Sequence, residues 1–89
     1  MEKYLVLIKL NPSKTEPFYN SIKSLDIHPM EGIEIMASYN IFGNWDFAIW
    51  FEADSNDNAL HFVGDMVRPL EGVMETSTMP ATPIKEYRK

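Results

Sequence analysis

The stretch NIFGNWDFAIWFEAD, Asn40 to Asp54, sets a turn signal inside an apolar, β-rich run. A Gly43-Asn44 pair between two such runs reads as a hairpin connection. Trp45 and Asp46 follow at once, and neither is needed to make the chain turn. The segment is therefore either a corner alone or a corner that holds something.

Working outward, Ile33 to Phe42 (IEIMASYNIF) forms the strand before the turn. Ile33, Ile35, Ala37, Tyr39 and Ile41 share one face, opposite Glu34, Met36, Ser38, Asn40 and Phe42. Trp45 to Ala53 forms the strand after it, with Phe47, Ile49, Phe51 and Ala53 on one side and Asp46, Ala48, Trp50 and Glu52 on the other. Asp54-Ser55-Asn56-Asp57 supplies cap candidates for a helix over about Asn56 to Arg68, ended by Pro69. Its apolar face reads Ala59, Leu60, Val63, Met66 and Val67. A last strand spans Gly72 to Met79, and Pro80 and Pro83 argue against a further central strand.

Upstream, Lys3 to Leu10 (KYLVLIKL) is a strand whose two faces, Tyr4/Val6/Ile8/Leu10 and Lys3/Leu5/Leu7/Lys9, are both apolar in the middle. After Asn11-Pro12 comes a helix start, with Ser13 or Thr15 as cap, Glu16 at capping-box distance from Ser13, and Pro17 in the first turn. Phe18, Ile22 and Leu25 then recur at i, i+4, i+7, and Asp26-Ile27-His28-Pro29 breaks the helix.

The order is β-α-β-β-α-β. Met30-Glu31-Gly32-Ile33 and Leu70-Glu71-Gly72-Val73 echo each other, each between a helix and a strand, with a glycine free to take the positive φ of the turn. Two βαβ halves sharing a four-stranded antiparallel sheet make an α+β, ferredoxin-like fold. We expect one domain over residues 1–79 and a Pro-containing tail over 80–89. Both helices of this topology cover one face of the sheet. The other face keeps large apolar groups, Leu5/Leu7 or Val6/Ile8 and Trp50 or its neighbours, and a patch of that kind marks an interface. A second copy is the simplest cover, which predicts a sheet-against-sheet homodimer, a dimeric α/β sandwich or barrel.

Composition narrows the classes of function. At 89 residues the chain buries only roughly 60–65% of its unfolded surface, so self-association adds useful burial. There is no cysteine, hence no disulfide framework or thiol metal site. The apolar stretch Tyr4–Ile8 is too short for a signal sequence or a membrane span, so we expect a cytoplasmic protein with no membrane partner. The net charge of −5 and the scattered Lys/Arg give no basic stripe for a phosphate backbone, so direct nucleic-acid binding is not expected. Lys85, Arg88 and Lys89 in the tail read as a solvated end.

Catalytic chemistry is sparse. His28 precedes a proline in a loop, and His61 stands four residues before Asp65 on the second helix, where both histidines are more simply structural or surface groups. Asp54 and Asp57 are more simply caps than an acid/base pair. There is no phosphate loop or nucleophile motif, and no metal or cofactor is expected. The opening hairpin offers more. The N–H groups of Gly43, Asn44 and Trp45 can form an anion-accepting concavity, and ionised Asp46 suits an ammonium group, so one turn could read both ends of a zwitterion. The alternative is that Asp46 only caps the turn and Trp45 packs at an oligomer seam. Thr76, Ser77 and Thr78 are β-formers that also carry hydroxyl donors.

The segment Ile41-Phe42-Gly43-Asn44-Trp45-Asp46-Phe47 resembles the V-x-G-x-Y-D-hydrophobic stretch in the effector domain of the leucine-responsive regulator (Lrp/AsnC) family, with Trp45 in the aromatic position. Phe51-Glu52-Ala53-Asp54, Phe62-Val63, Val67-Arg68-Pro69-Leu70-Glu71-Gly72-Val73 and Thr76-Ser77-Thr78 resemble later segments of that domain, in the same order. The resemblance implies a βαββαβ unit that dimerises through its sheets and assembles further into rings, with amino acids bound between dimers. It implies that Gly43, Asn44, Trp45 and Asp46 line the pocket, with Thr76 and Thr78 opposite. Because the first strand begins at Lys3, the chain resembles a stand-alone effector domain without the helix-turn-helix. On this reading it is a non-enzymatic sensor of an amino acid or similar metabolite, able to modulate a full-length regulator by co-assembly. Two other readings remain: a dimeric α/β-barrel enzyme, monooxygenase-like or haem-degrading, with His61 as ligand, and a ligand-free assembly module.

Overall fold

The first strand, β1 (Glu2–Leu10), alternates between buried and half-buried residues along its length. Tyr4, Val6, Ile8 and Leu10 point into the core, and Val6 and Ile8 have no exposed surface. This is the two-sided strand expected from its sequence, and it takes an inner position. In the computed structural model, which describes residues 1–87, it is followed by a 3₁₀ turn (Pro12–Lys14), α1 (Thr15–Lys23), β2 (Ile33–Asn40), β3 (Phe47–Ala53), α2 (Asn56–Phe62) and β4 (Val73–Ala81). The strand order is β2-β3-β1-β4, every neighbouring pair antiparallel. This is the α+β, ferredoxin-like arrangement that the sequence predicts. Arg88 and Lys89, two of the three basic tail residues, lie outside the described residues.

One cluster forms the core. Tyr4, Val6, Ile8 and Leu10 of β1 and Phe47, Ile49, Phe51 and Ala53 of β3 meet Phe18 of α1 and Ala59 and Phe62 of α2. Phe51 anchors it, stacked on Tyr4 at 5.4 Å between ring centroids and tilted against Phe62 at 4.8 Å. Phe18 meets Phe47 edge to face at 4.8 Å. Such aromatic pairs add roughly 0.5–1.5 kcal/mol each beyond their buried area.

Several local expectations are corrected. The 3₁₀ turn ahead of α1 is capped by Asn11, whose Oδ1 accepts from the N–H of Ser13, rather than by Ser13 or Thr15. The second helix does not run evenly to Arg68. After Phe62 it widens into a π-helical turn over Val63–Val67, where the N–H of Arg68 bonds the carbonyl of Val63. Leu60, assigned to its apolar face, is exposed, while Phe62 is buried against Phe51. The larger aromatic has taken the core. Strand β4 continues past Met79 to Ala81, and Pro80 is accommodated because β4 is an edge strand.

The strands flanking the central turn are shorter than the sequence reading gave them. β2 ends at Asn40 and β3 starts at Phe47, so the connection is a wider loop rather than a two-residue turn. A β-bulge at Met36, between Ile35 and Ala37, also interrupts the alternation of β2. One extra residue exchanges the two faces of all that follows. Ala37 and Tyr39 pair with Trp50 and Ala48 on the open face, while Ser38 and Asn40 pair with Ile49 and Phe47 on the helix side.

Gly32 and Gly72 adopt φ +84° and +94°, as the repeated Glu-Gly turn requires. At Gly32 an added Cβ would lie 2.6 Å from Asp54 Oδ1. Gly32→Ala should therefore cost at least the roughly 1–2 kcal/mol of a left-handed alanine. Phe51→Ala should cost about 3–5 kcal/mol, read as a lower urea midpoint at unchanged slope. A neutral Gly32→Ala, or a Phe51→Ala loss below about 1 kcal/mol, would contradict this packing.

Candidate functional site

Asp46 is the junction of the central corner. Its carbonyl accepts from the N–H of Ile41 at 3.2 Å, which closes the loop Phe42–Trp45. Its N–H donates to the carbonyl of Ile8 at 3.0 Å, and its Oδ2 accepts from the N–H of Leu10 at 2.8 Å. One residue thus ties the ends of β2 and β3 to β1. The carboxylate does cap backbone, though on the neighbouring strand and not within its own turn. That bond uses part of its capacity, since an ionised carboxylate offers about four acceptor sites.

The rest of the loop is open. Among the described residues, the N–H groups of Gly43, Asn44 and Trp45 donate no hydrogen bond. The carbonyl of Asn44 accepts from Lys9 Nζ at 2.9 Å. Gly43 has φ +109° with open space where a side chain would be. Trp45 is half-buried, and Phe42 at the tip is 98% exposed.

Thr76 and Thr78 of β4 pair with Ile8 and Val6, so both face the helix side of the sheet. Ile8 also pairs with Phe47, which puts Thr76 two strand spacings, roughly 10 Å, from the corner. Within one protomer the threonines do not join Asp46. A cleft of about 220 Å³ at Asp46 is lined instead by Leu10, Pro12, Thr15, Tyr19 and Asn40. Sequence reasoning missed Tyr19 and Asn40 as its walls. Tyr19 follows a core residue on α1, and Asn40 reaches the helix side only because of the bulge.

The open face of the sheet is the Leu5/Leu7 face. Two rows cross it, Ala37–Trp50–Leu5–Met79, apolar throughout, and Tyr39–Ala48–Leu7–Ser77, apolar up to its last member. Charged residues flank them, Glu34, Glu52 and Lys3 at one end and Lys9 and Glu75 at the other. Tyr39 keeps 54% of its surface exposed and Met79 36%. An apolar centre with a charged rim is the layout of a protein interface.

The remaining titratable candidates have structural partners or lie outside. His28 Nδ1 is 3.2 Å from the carbonyl of Ile33. Asp54 Oδ1 accepts from Asn58 Nδ2 at 2.7 Å, and Ser55 caps α2. His61 is exposed and 3.5 Å from Asp65, beside exposed Leu60. It therefore faces away from the space between sheet and helices, where a haem-binding reading would need it. Among the described residues, no helix is long and apolar enough to cross a membrane.

No family model matches the chain, and no curated protein does. Solved structures do match. AsnC of Escherichia coli superposes with a TM-score of 0.78 at 16% identity, covering 98% of this chain and 54% of that one. FFRP-DM1 gives 0.69 at 20% identity over 92% of this chain and 100% of its own. The transcriptional regulator NMB0573 of Neisseria meningitidis, solved as a complex with L-Met, gives 0.76 at 12% identity over 97% of this chain and 53% of that one. The chain thus has the fold of Lrp/AsnC-family proteins, spanning all of FFRP-DM1 and about half of AsnC and NMB0573.

Proposed function

We propose that this protein is a non-enzymatic effector-binding module that takes an amino acid or similar small metabolite at the Gly43–Asp46 corner. The observation that carries this reading is the corner itself. Three successive N–H groups without an acceptor among the described residues stand beside an ionisable side chain that one backbone bond holds in place. The N–H groups suit a carboxylate and Asp46 suits an ammonium, while half-buried Trp45 limits access of water. The same-fold regulator NMB0573 was solved with L-Met, which agrees with a zwitterionic ligand.

Assembly completes the site. Two copies pack through the rows centred on Leu5, Leu7 and Trp50, and dimers associate further, in rings, through the exposed loop at Phe42. Thr76 and Thr78 then reach the corner from a neighbouring copy and offer hydroxyls to the ligand. A full-length regulator of the same fold is the protein partner this reading favours, in the cytoplasm and without direct nucleic-acid contact by this chain.

A thermal-shift screen over the common amino acids tests the ligand. A ligand at 100 times its Kd stabilises by about 2.7 kcal/mol, roughly ten degrees or more in Tm for a domain of this size. Asp46→Asn keeps an oxygen for Leu10 but removes the charge, and should abolish most of the shift. No shift with any amino acid, or an equal shift in Asp46→Asn, contradicts the site. Sedimentation tests the assembly: the protein should be at least dimeric at micromolar concentration, and a Tyr39→Glu/Met79→Glu variant should be monomeric and folded. A wild-type monomer under those conditions contradicts the interface.

A further inference from the structure

The cleft on the helix side of Asp46 belongs to a single protomer. It collects Leu10 from the end of β1, Pro12 and Thr15 from the start of the first helical segment, Tyr19 from α1, Asn40 from the end of β2, and Asp46. Leu10 and Pro12 provide apolar wall, and the Tyr19 ring is fixed by an edge contact with Phe47 at 5.8 Å.

The polar groups have a consistent bias. The Tyr19 hydroxyl donates to Asn40 Oδ1, and the Thr15 hydroxyl donates to the carbonyl of Pro12 at 3.0 Å. Both hydroxyl protons are therefore already committed, and each oxygen keeps lone-pair capacity to accept. The Asn40 amide nitrogen is the one side-chain donor that remains. Asp46 is the one formally charged group in the lining. Lysines close in sequence are engaged elsewhere: Lys9 with the carbonyl of Asn44 at 2.9 Å, and Lys14 with Glu71 at 3.1 Å. An acceptor-rich, singly negative cleft of about 220 Å³ selects a small cation that brings its own N–H donors. Larger ligands exceed its size.

We propose that this cleft binds a small primary ammonium group within one protomer, with the Asp46 carboxylate as counter-ion and the Tyr19–Asn40 pair and Thr15 as further acceptors. The site shares the Asp46 carboxylate with the function proposed above and differs from it in its other partners. It requires no second copy, no ligand carboxylate and no contact with the N–H groups of Gly43, Asn44 or Trp45.

The test is a two-dimensional NMR titration of the whole protein with ethylammonium chloride, against sodium chloride and tetramethylammonium chloride at matched ionic strength. Ethylammonium should shift the Leu10 amide and the Asn40 side-chain amide saturably. Half-saturation should be no tighter than about millimolar, the ceiling for so small a ligand. Tetramethylammonium, which has no N–H, and sodium should leave both signals in place. Asp46→Asn should raise the half-saturation concentration about tenfold or more, and Tyr19→Phe by a smaller factor. Retained signal dispersion shows that each variant is folded. Absence of a saturable shift up to about 100 mM, an equal response to tetramethylammonium, or an unchanged titration in Asp46→Asn overturns the proposal. If amino acids shift the Gly43–Trp45 amides while ethylammonium leaves Leu10 and Asn40 untouched, the cleft is refuted and the effector reading stands. If ethylammonium binds and amino acids do not, the reverse holds.

Discussion

Everything in this structure follows from a first strand that is apolar on both sides. Val6 and Ile8 are sealed beneath the helices, while Leu5 and Leu7 lie on the opposite face between Trp50 and its neighbours. A strand of that kind is stable only in the interior of a sheet. With β3 on one side and β4 on the other, β1 obliges the hairpin to supply both an inner and an outer strand. It also leaves an apolar open face, because two short helices cover only one side. In a chain of this size such a face is a substantial fraction of the hydrophobic surface available for stability.

Asp46 places a carboxylate at the corner of that arrangement. A charge-assisted bond to backbone N–H is stronger than a neutral one, and here it joins residues far apart in sequence, Leu10 and Asp46. The carboxylate is thereby positioned without being used up. The bond to Leu10 is a structural role for Asp46 that is compatible with the binding role we propose, since it leaves part of the carboxylate's acceptor capacity unused. The loop above it gains the reverse property. Because Asp46 closes the hairpin at Ile41, the intervening residues need no ladder partners, and among the described residues the N–H groups of Gly43, Asn44 and Trp45 find no acceptor.

Much of the fold was legible from hydrophobic alternation, the Glu-Gly echo and the cap residues before α2. Three features were not. The bulge at Met36 leaves no mark in a sequence that alternates acceptably on either register, yet it sends Tyr39 to the open face and Asn40 to the cleft. The burial of Phe62 in place of Leu60 depends on contact with Phe51, which helical spacing alone does not weigh. Asn11 displaced Ser13 as cap because the chain enters α1 through a 3₁₀ turn that begins earlier. Of the site, the corner residues were visible as an unusual turn. Tyr19 and Asn40 were not, since their meeting requires the bulge and the tertiary packing of α1.

We propose above that Gly43–Asp46 is a ligand corner completed by assembly through the open sheet face. A crystal structure of the protein grown with an amino acid that raises its Tm tests this most directly. Pairs of protomers should face each other through Leu5, Leu7 and Trp50, with the ligand carboxylate on the Gly43–Trp45 N–H groups and its ammonium on Asp46. A lattice in which that face meets only solvent and the amino acid lies away from the corner would contradict it.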